Sequence, residues 1–142
     1  MFFVPFYVKF EKVADAETRI MRVIDASSLI PAGRYAFVEN FCNDDSCDCR
    51  KAMINVIDVD NAKSPSDFLA TIGFGWEDAD FYSEWLGGDI ETGRVMAGSY
   101  LESGGRQTNL SGYFLEFWKM VIAQDAAYAA RIKKHYDMFK GD

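Results

Sequence analysis

The chain of 142 residues carries a single histidine, His135. One imidazole leaves little room for a hydrolytic triad, and Ser99, Ser103 and Ser111 have no serine-hydrolase context around them. Positive charge is scarce too. Fifteen Lys and Arg stand against 22 Asp and Glu, a formal net charge of −7. Phosphate backbones are bound by clustered cations, so this balance counts against nucleic acid as the main partner. The one basic run, "RIKKH" from Arg131 to His135, reads as a solvated helix face. No apolar run approaches the ~20 residues of a membrane helix, so no membrane association is expected. "GFGW" (Gly73 to Trp76) lacks the third glycine and the strand–turn–helix setting of a nucleotide fingerprint. The opening "MFFVPFYVKF" has no basic leader and meets Lys9 and Glu11 too soon for a signal peptide, so a cytoplasmic location is expected.

What the chain does have is core material. Hydrophobic residues make up 49% and aromatics 15%, which suits one globular domain spanning 1–142 and speaks against disorder. Phe2, Val4, Phe6, Val8 and Phe10 alternate as one face of a strand, with Tyr7, Lys9 and Glu11 on the other. Further strands are predicted at 19–24, 34–42, 52–59 and 68–76, the one at 34–42 with Tyr35, Phe37 and Phe41 on one face. The last has Phe68, Ala70, Ile72, Phe74 and Trp76 in register. Asp78 can cap a short helix that Gly87 and Gly88 end. The span from Gly87 to Ser111 reads as irregular, yet it is long for a loop and either packs over something or hides a short element. The C-terminal third is helical. Its first apolar stripe includes Phe114, Phe117 and Trp118; its second includes Tyr128, Ile132, His135, Tyr136 and Phe139. The expected fold is α+β: an antiparallel sheet of about five strands, or a partly closed barrel, covered by C-terminal helices.

All three cysteines, Cys42, Cys47 and Cys49, fall within "CNDDSCDC", the tip of the hairpin predicted between the strands at 34–42 and 52–59. In a reducing compartment such a cluster points to metal or redox chemistry rather than a structural disulfide. Zinc takes four ligands and favours thiolates in structural sites. Three sulfurs can surround one ion only if the loop curls, because Cys-x-Cys side chains point apart in extended chain. His135 becomes a fourth ligand if its helix crosses the hairpin tip. Asp44, Asp45, Asp48 or a water are the alternatives. The leading reading is a zinc-stabilised domain that works by binding a protein partner, with Cys42, Cys47, Cys49 and His135 around the metal. A small thiol-redox enzyme using Cys47 and Cys49, a metal-assisted hydrolase with an open coordination place, and a soft-metal carrier for Cu(I) are the rivals. Three unligated cysteines are the plain alternative.

Glu39 shares a strand face with Tyr35, Phe37 and Phe41, where a carboxylate is either a general acid or base or the partner of an arginine such as Arg34. Trp76, Phe81, Tyr82, Trp85, Tyr113, Phe117 and Trp118 fit a sheet–helix interface better than a ligand pocket. Two stretches, "FVENFCNDDSCDCRKAMINVI" and "YAARIKKHYDMFK", together resemble a group of small uncharacterised bacterial proteins. In these a Cys-Asp-Cys-Arg segment follows an aromatic-rich strand and the chain ends in a basic-His-Tyr helix. The resemblance covers about a quarter of the chain. It implies a metal site joining the cysteines to His135 and supplies no activity.

Overall fold

Long β-branched and aromatic runs become the central strands of the fold in a computed structural model, which describes residues 2–25 and 28–141. Strands β3 (Gly33–Cys42), β4 (Lys51–Asp58) and β5 (Phe68–Gly75) form an antiparallel meander, and β6 (Gly98–Leu101) pairs with β5 at its edge. The other edge of β3 is shared by two short strands. β2 (Arg19–Val23) pairs with its first half and β1 (Phe3–Pro5) with its end, placing Phe3 opposite Cys42. The sheet has six strands and does not close into a barrel.

Alternation sorts the two faces. Tyr35, Phe37 and Phe41 of β3, Ile54 and Val56 of β4, and Ala70 and Ile72 of β5 are buried on one of them. Helices α4 (Ser111–Gln124) and α5 (Ala126–Gly141) cover that face. Trp118 meets Phe37 and Phe74 edge-on, and Tyr136 and Phe139 close on Phe41. Asp125 separates the helices and accepts the Tyr128 N–H at the start of α5. The fold is α+β with helices packed on an antiparallel sheet.

Three departures from the sequence expectation concern the site. The N-terminal alternation does not make a long strand, since pairing stops at Pro5 and the chain turns through a 3-10 turn at Phe6–Val8. A helix, α1 (Glu11–Glu17), follows it. Phe6 and Phe10 therefore stack on each other at 5.1 Å, four residues apart on a coil rather than along a strand. The span after Gly87 holds two elements, α3 (Ile90–Met96), capped by Asp89, and β6. Phe68 leaves the core face, because the β4–β5 register shifts at Val56/Ile57, and it lines a hollow on the far side.

That far side explains "GFGW". A Cβ on Gly73 would run into the Tyr100 ring, and one on Gly75 into the Met96 carbonyl and the Tyr82 hydroxyl. The glycines let the Tyr100 ring, the end of α3 and Tyr82 of the preceding helix α2 (Ala79–Trp85) lie directly on β5. Gly73→Ala is expected to lower stability by about 1–3 kcal/mol in urea unfolding, through overpacking against Tyr100. An unchanged midpoint would show that Tyr100 does not press on the strand.

Candidate metal centre

The hairpin tip between β3 and β4 is tied down along its whole length. Asn43 exchanges two hydrogen bonds with Phe2, Cys47 N–H donates to the Asp44 carbonyl, and the Asp44 carboxylate accepts from Ser46 N–H and Oγ. Directly after the Cys-x-Cys comes Arg50, a non-glycine residue at φ 45°. That left-handed residue is held from every side. Its N–H donates to Tyr136 Oη at 3.1 Å and its carbonyl accepts from Tyr82 Oη at 2.5 Å. Its guanidinium grips both Asp48 oxygens and lies over the Phe81 ring. In "CDCR" the acid and the arginine pair outward while the two cysteines turn inward.

All three sulfurs lie within 4.8 Å of one another. Cys42 and Cys49 are fully buried, Cys47 is half-buried, and none is in a disulfide. Backbone N–H groups two residues downstream point at the two buried sulfurs: Asp44 N–H meets Cys42 Sγ at 3.4 Å, and Lys51 N–H meets Cys49 Sγ. Such N–H···S contacts stabilise a thiolate. Without an ion, burial pushes the Cys47 thiol up to about 12, with repulsion from Cys49 adding to it. Burial likewise raises Cys49, followed by the charge of Cys42, against the pull of the Lys51 N–H. A redox thiol needs the opposite shift. A coordinated cation would hold all three as thiolates.

Helix α5 does cross the hairpin tip, but it does not bring His135 there. Tyr136 reaches Arg50, and Lys140, one turn on, donates to the Cys42 carbonyl at 3.1 Å and the Asp44 carbonyl at 2.6 Å. His135 is rotated about 100° from Tyr136 around the helix and faces elsewhere. Its Nδ1 meets Glu39 at 2.7 Å and its Nε2 meets Glu17 at 2.6 Å, while its ring stacks on Phe6 at 4.3 Å. Both ring nitrogens are thus taken by carboxylates, and the cluster of donors that could share one ion consists of the three sulfurs without His135. Of the acidic loop residues two are engaged, and Asp45 is exposed and outside the group of donors that could share one ion. Asp48 is paired with Arg50 and Asp44 with Ser46, and both carboxyls are held below their ordinary values by those bonds. Among the described residues the group that could hold an ion is Cys42, Cys47 and Cys49.

Sequence reasoning placed Glu39 among buried aromatics but missed its partner. Glu39 is 5% exposed and is bound by His135, whereas Arg34 pairs with Asp60 on the surface at 2.6 Å. Burial disfavours charge on His135, but the hydrogen bonds and charges of Glu39 and Glu17 outweigh it and raise its pKa. Glu17 is lowered in turn, chiefly by its bond to His135. The readable signal was one buried acid and one histidine on an apolar helical stripe. Glu17 had no such signal, because α1 itself was not foreseen.

No protein family, curated protein or solved structure matches the chain. The three sulfurs close together support a metal site, and no helix among the described residues is long and apolar enough to cross a membrane.

Proposed function

We propose that the chain is a zinc-binding α+β domain that acts through binding, with Cys42, Cys47 and Cys49 as ligands and the fourth place filled from outside the described residues. A single observation carries this reading: three sulfurs from a fixed hairpin tip fall within 4.8 Å of one another. A tetrahedral zinc with Zn–S bonds near 2.3 Å separates its sulfurs by roughly 3.8 Å, so closure asks for movements of about an ångström at most. Donor chemistry agrees with the metal. Thiolates are its usual structural ligands, and the ordered loop leaves only side-chain adjustment to binding. The open fourth position gives such a domain a place to receive a partner's histidine or cysteine, or a water.

Metal analysis of the purified protein, paired with thiol titration before and after chelation, tests the reading. One equivalent of zinc per chain, with three thiols that react only after chelation, is the expected result. Three freely titrating thiols and no bound metal would sink it. One equivalent of Cu(I) that zinc does not displace would replace the zinc reading with that of a soft-metal carrier.

A further inference from the structure

On the sheet face away from α4 and α5 lies a groove that uses none of the sulfurs. Its larger part encloses about 530 Å³ between Phe3, Lys51, Met53, Trp85, Met96 and Tyr100. Past Phe3, Met53 and Gly104 it opens into a hollow of about 330 Å³ lined by Asn40, Asn55 and Thr71. The walls are mainly apolar; Ser66, Thr92, Ser103 and Arg106, the last paired with Asp67, are exposed at the rim, while the polar groups on the strands are few and buried.

Lys51 is the first of them, at 6% exposure. Its ammonium donates to Tyr100 Oη and, at 3.2 Å, to Glu102 Oε2. An ammonium has three protons, and the third finds no acceptor among the described residues. Asn40, at 4% exposure, commits its Nδ2 to the Val38 and Met53 carbonyls, both at 3.1 Å, and its Oδ1 accepts no bond among those residues. Asn55 Oδ1 meets Thr71 Oγ1 at 3.0 Å, leaving its Nδ2 free. The sealed side-chain atoms without partners are elsewhere, Tyr128 Oη and Arg131 Nε. Lys51 lines the larger part of the groove, and Asn40 and Asn55 line the hollow beside it. Register places them together, since Asn40 sits opposite Met53, and Lys51 and Asn55 flank Met53 on the same face of β4.

We propose that this groove binds a small neutral amide with an apolar body, its carbonyl accepting from the Lys51 ammonium and its N–H donating to Asn40 Oδ1. An amide supplies an acceptor and a donor in one rigid unit, which matches the two free groups. Neutrality follows from Glu102, which already balances Lys51 and would repel a second anion. Phe3, Met53 and Trp85 provide the apolar bed for the body. The proposal stands apart from the metal reading, because no ligand atom of one site belongs to the other.

N-acetyl-leucinamide and N-acetyl-leucine are the probes, titrated into the ¹⁵N-labelled full chain while amide shifts are followed. The amide is expected to move the signals of Lys51, Met53, Tyr100 and their neighbours saturably, and the carboxylate to bind about tenfold more weakly. Lys51→Met should weaken the amide by about tenfold, and Met53→Trp, which fills the groove, should abolish the shifts. Dispersed spectra report that each variant is folded, and if Lys51→Met does not fold, Met53→Trp decides alone. No saturable shift in the native chain overturns the proposal. Equal binding of the carboxylate overturns the neutral class, and undiminished binding by folded Met53→Trp overturns the location.

Discussion

His135→Ala is expected to lower folding stability by about 3–5 kcal/mol while leaving the metal content of the protein unchanged. The size follows from what the substitution strands. Glu39 is buried, its Oε1 meets His135 Nδ1 at 2.7 Å, and removing the imidazole leaves a carboxylate without its partner in the sheet–helix interface. The imidazole also fills space against Phe6, so alanine opens a gap in the packing beside β3. Replacing both partners, Glu39→Leu with His135→Leu, should recover most of the loss, since an apolar pair carries no desolvation penalty. Chemical unfolding of the two variants measures the difference. A loss confined to a few tenths of a kcal/mol in His135→Ala would mean that the pair is not a structural clasp.

The same clasp sets a pH window. His135 is raised in the fold, so its contribution is fully present below the ordinary histidine value of about 6.5 and is lost as pH rises through the raised value. Glu17 is lowered, so its contribution is present above the ordinary carboxylate range and is lost as pH falls through the lowered value. Stability of the metal-free protein should therefore decline on the alkaline side in the native chain. That decline should be smaller and begin at higher pH in His135→Gln, which carries no titrating ring and keeps only the raised thiols and tyrosines. Identical alkaline profiles for the two would assign the decline to other groups.

Much of this arrangement could be read from the residues because burial and periodicity were strong where they mattered. The face shared by Tyr35, Phe37, Glu39 and Phe41, the hairpin carrying all three cysteines, and the buried stripe of α5 follow from periods of 2 and 3.6. What periodicity does not fix is the rotation of one element over another. His135 and Tyr136 both belong to the buried side of α5, and one helical step decides which meets the tip and which meets Glu39. Short elements escaped for a different reason. α1 and α3 have seven residues each and β6 has four, too few for a period to show, and their placement depends on tertiary contacts such as Tyr100 lying on Gly73. The apolar run at the N-terminus misled because Pro5 ends the ladder and sends Phe6 inward onto His135.

Cys49→Ser is expected to reduce zinc affinity by a hundredfold or more and to cut the effect of chelator on stability by about two thirds or more. Structural zinc contributes roughly 10–16 kcal/mol of binding free energy shared among its ligands, so one ligand's share is of order 3 kcal/mol. No further histidine, cysteine or carboxylate among the described residues joins the three sulfurs in a group that could share one ion, and His135, Asp44 and Asp48 are engaged elsewhere. Cys42→Ser should behave alike, because both sulfurs are fully buried and receive a backbone N–H. Cys47→Ser should be the mildest of the three, because its side chain is half-buried and water can take the vacated place. In the native chain, free zinc at about a thousandfold its Kd stabilises the fold by about 4 kcal/mol, a gain that chelation removes. At the same free zinc a hundredfold weaker variant gains only about 1.4 kcal/mol, so Cys42→Ser and Cys49→Ser should respond to chelator far less than the native chain, which separates loss of a ligand from ordinary damage to the core. Full zinc content in Cys49→Ser, or an undiminished chelator effect in all three variants, would place the metal elsewhere. The hairpin tip would then be held by its hydrogen bonds, those of Arg50 with Tyr82 and Tyr136 and those of Lys140 among them, without a metal.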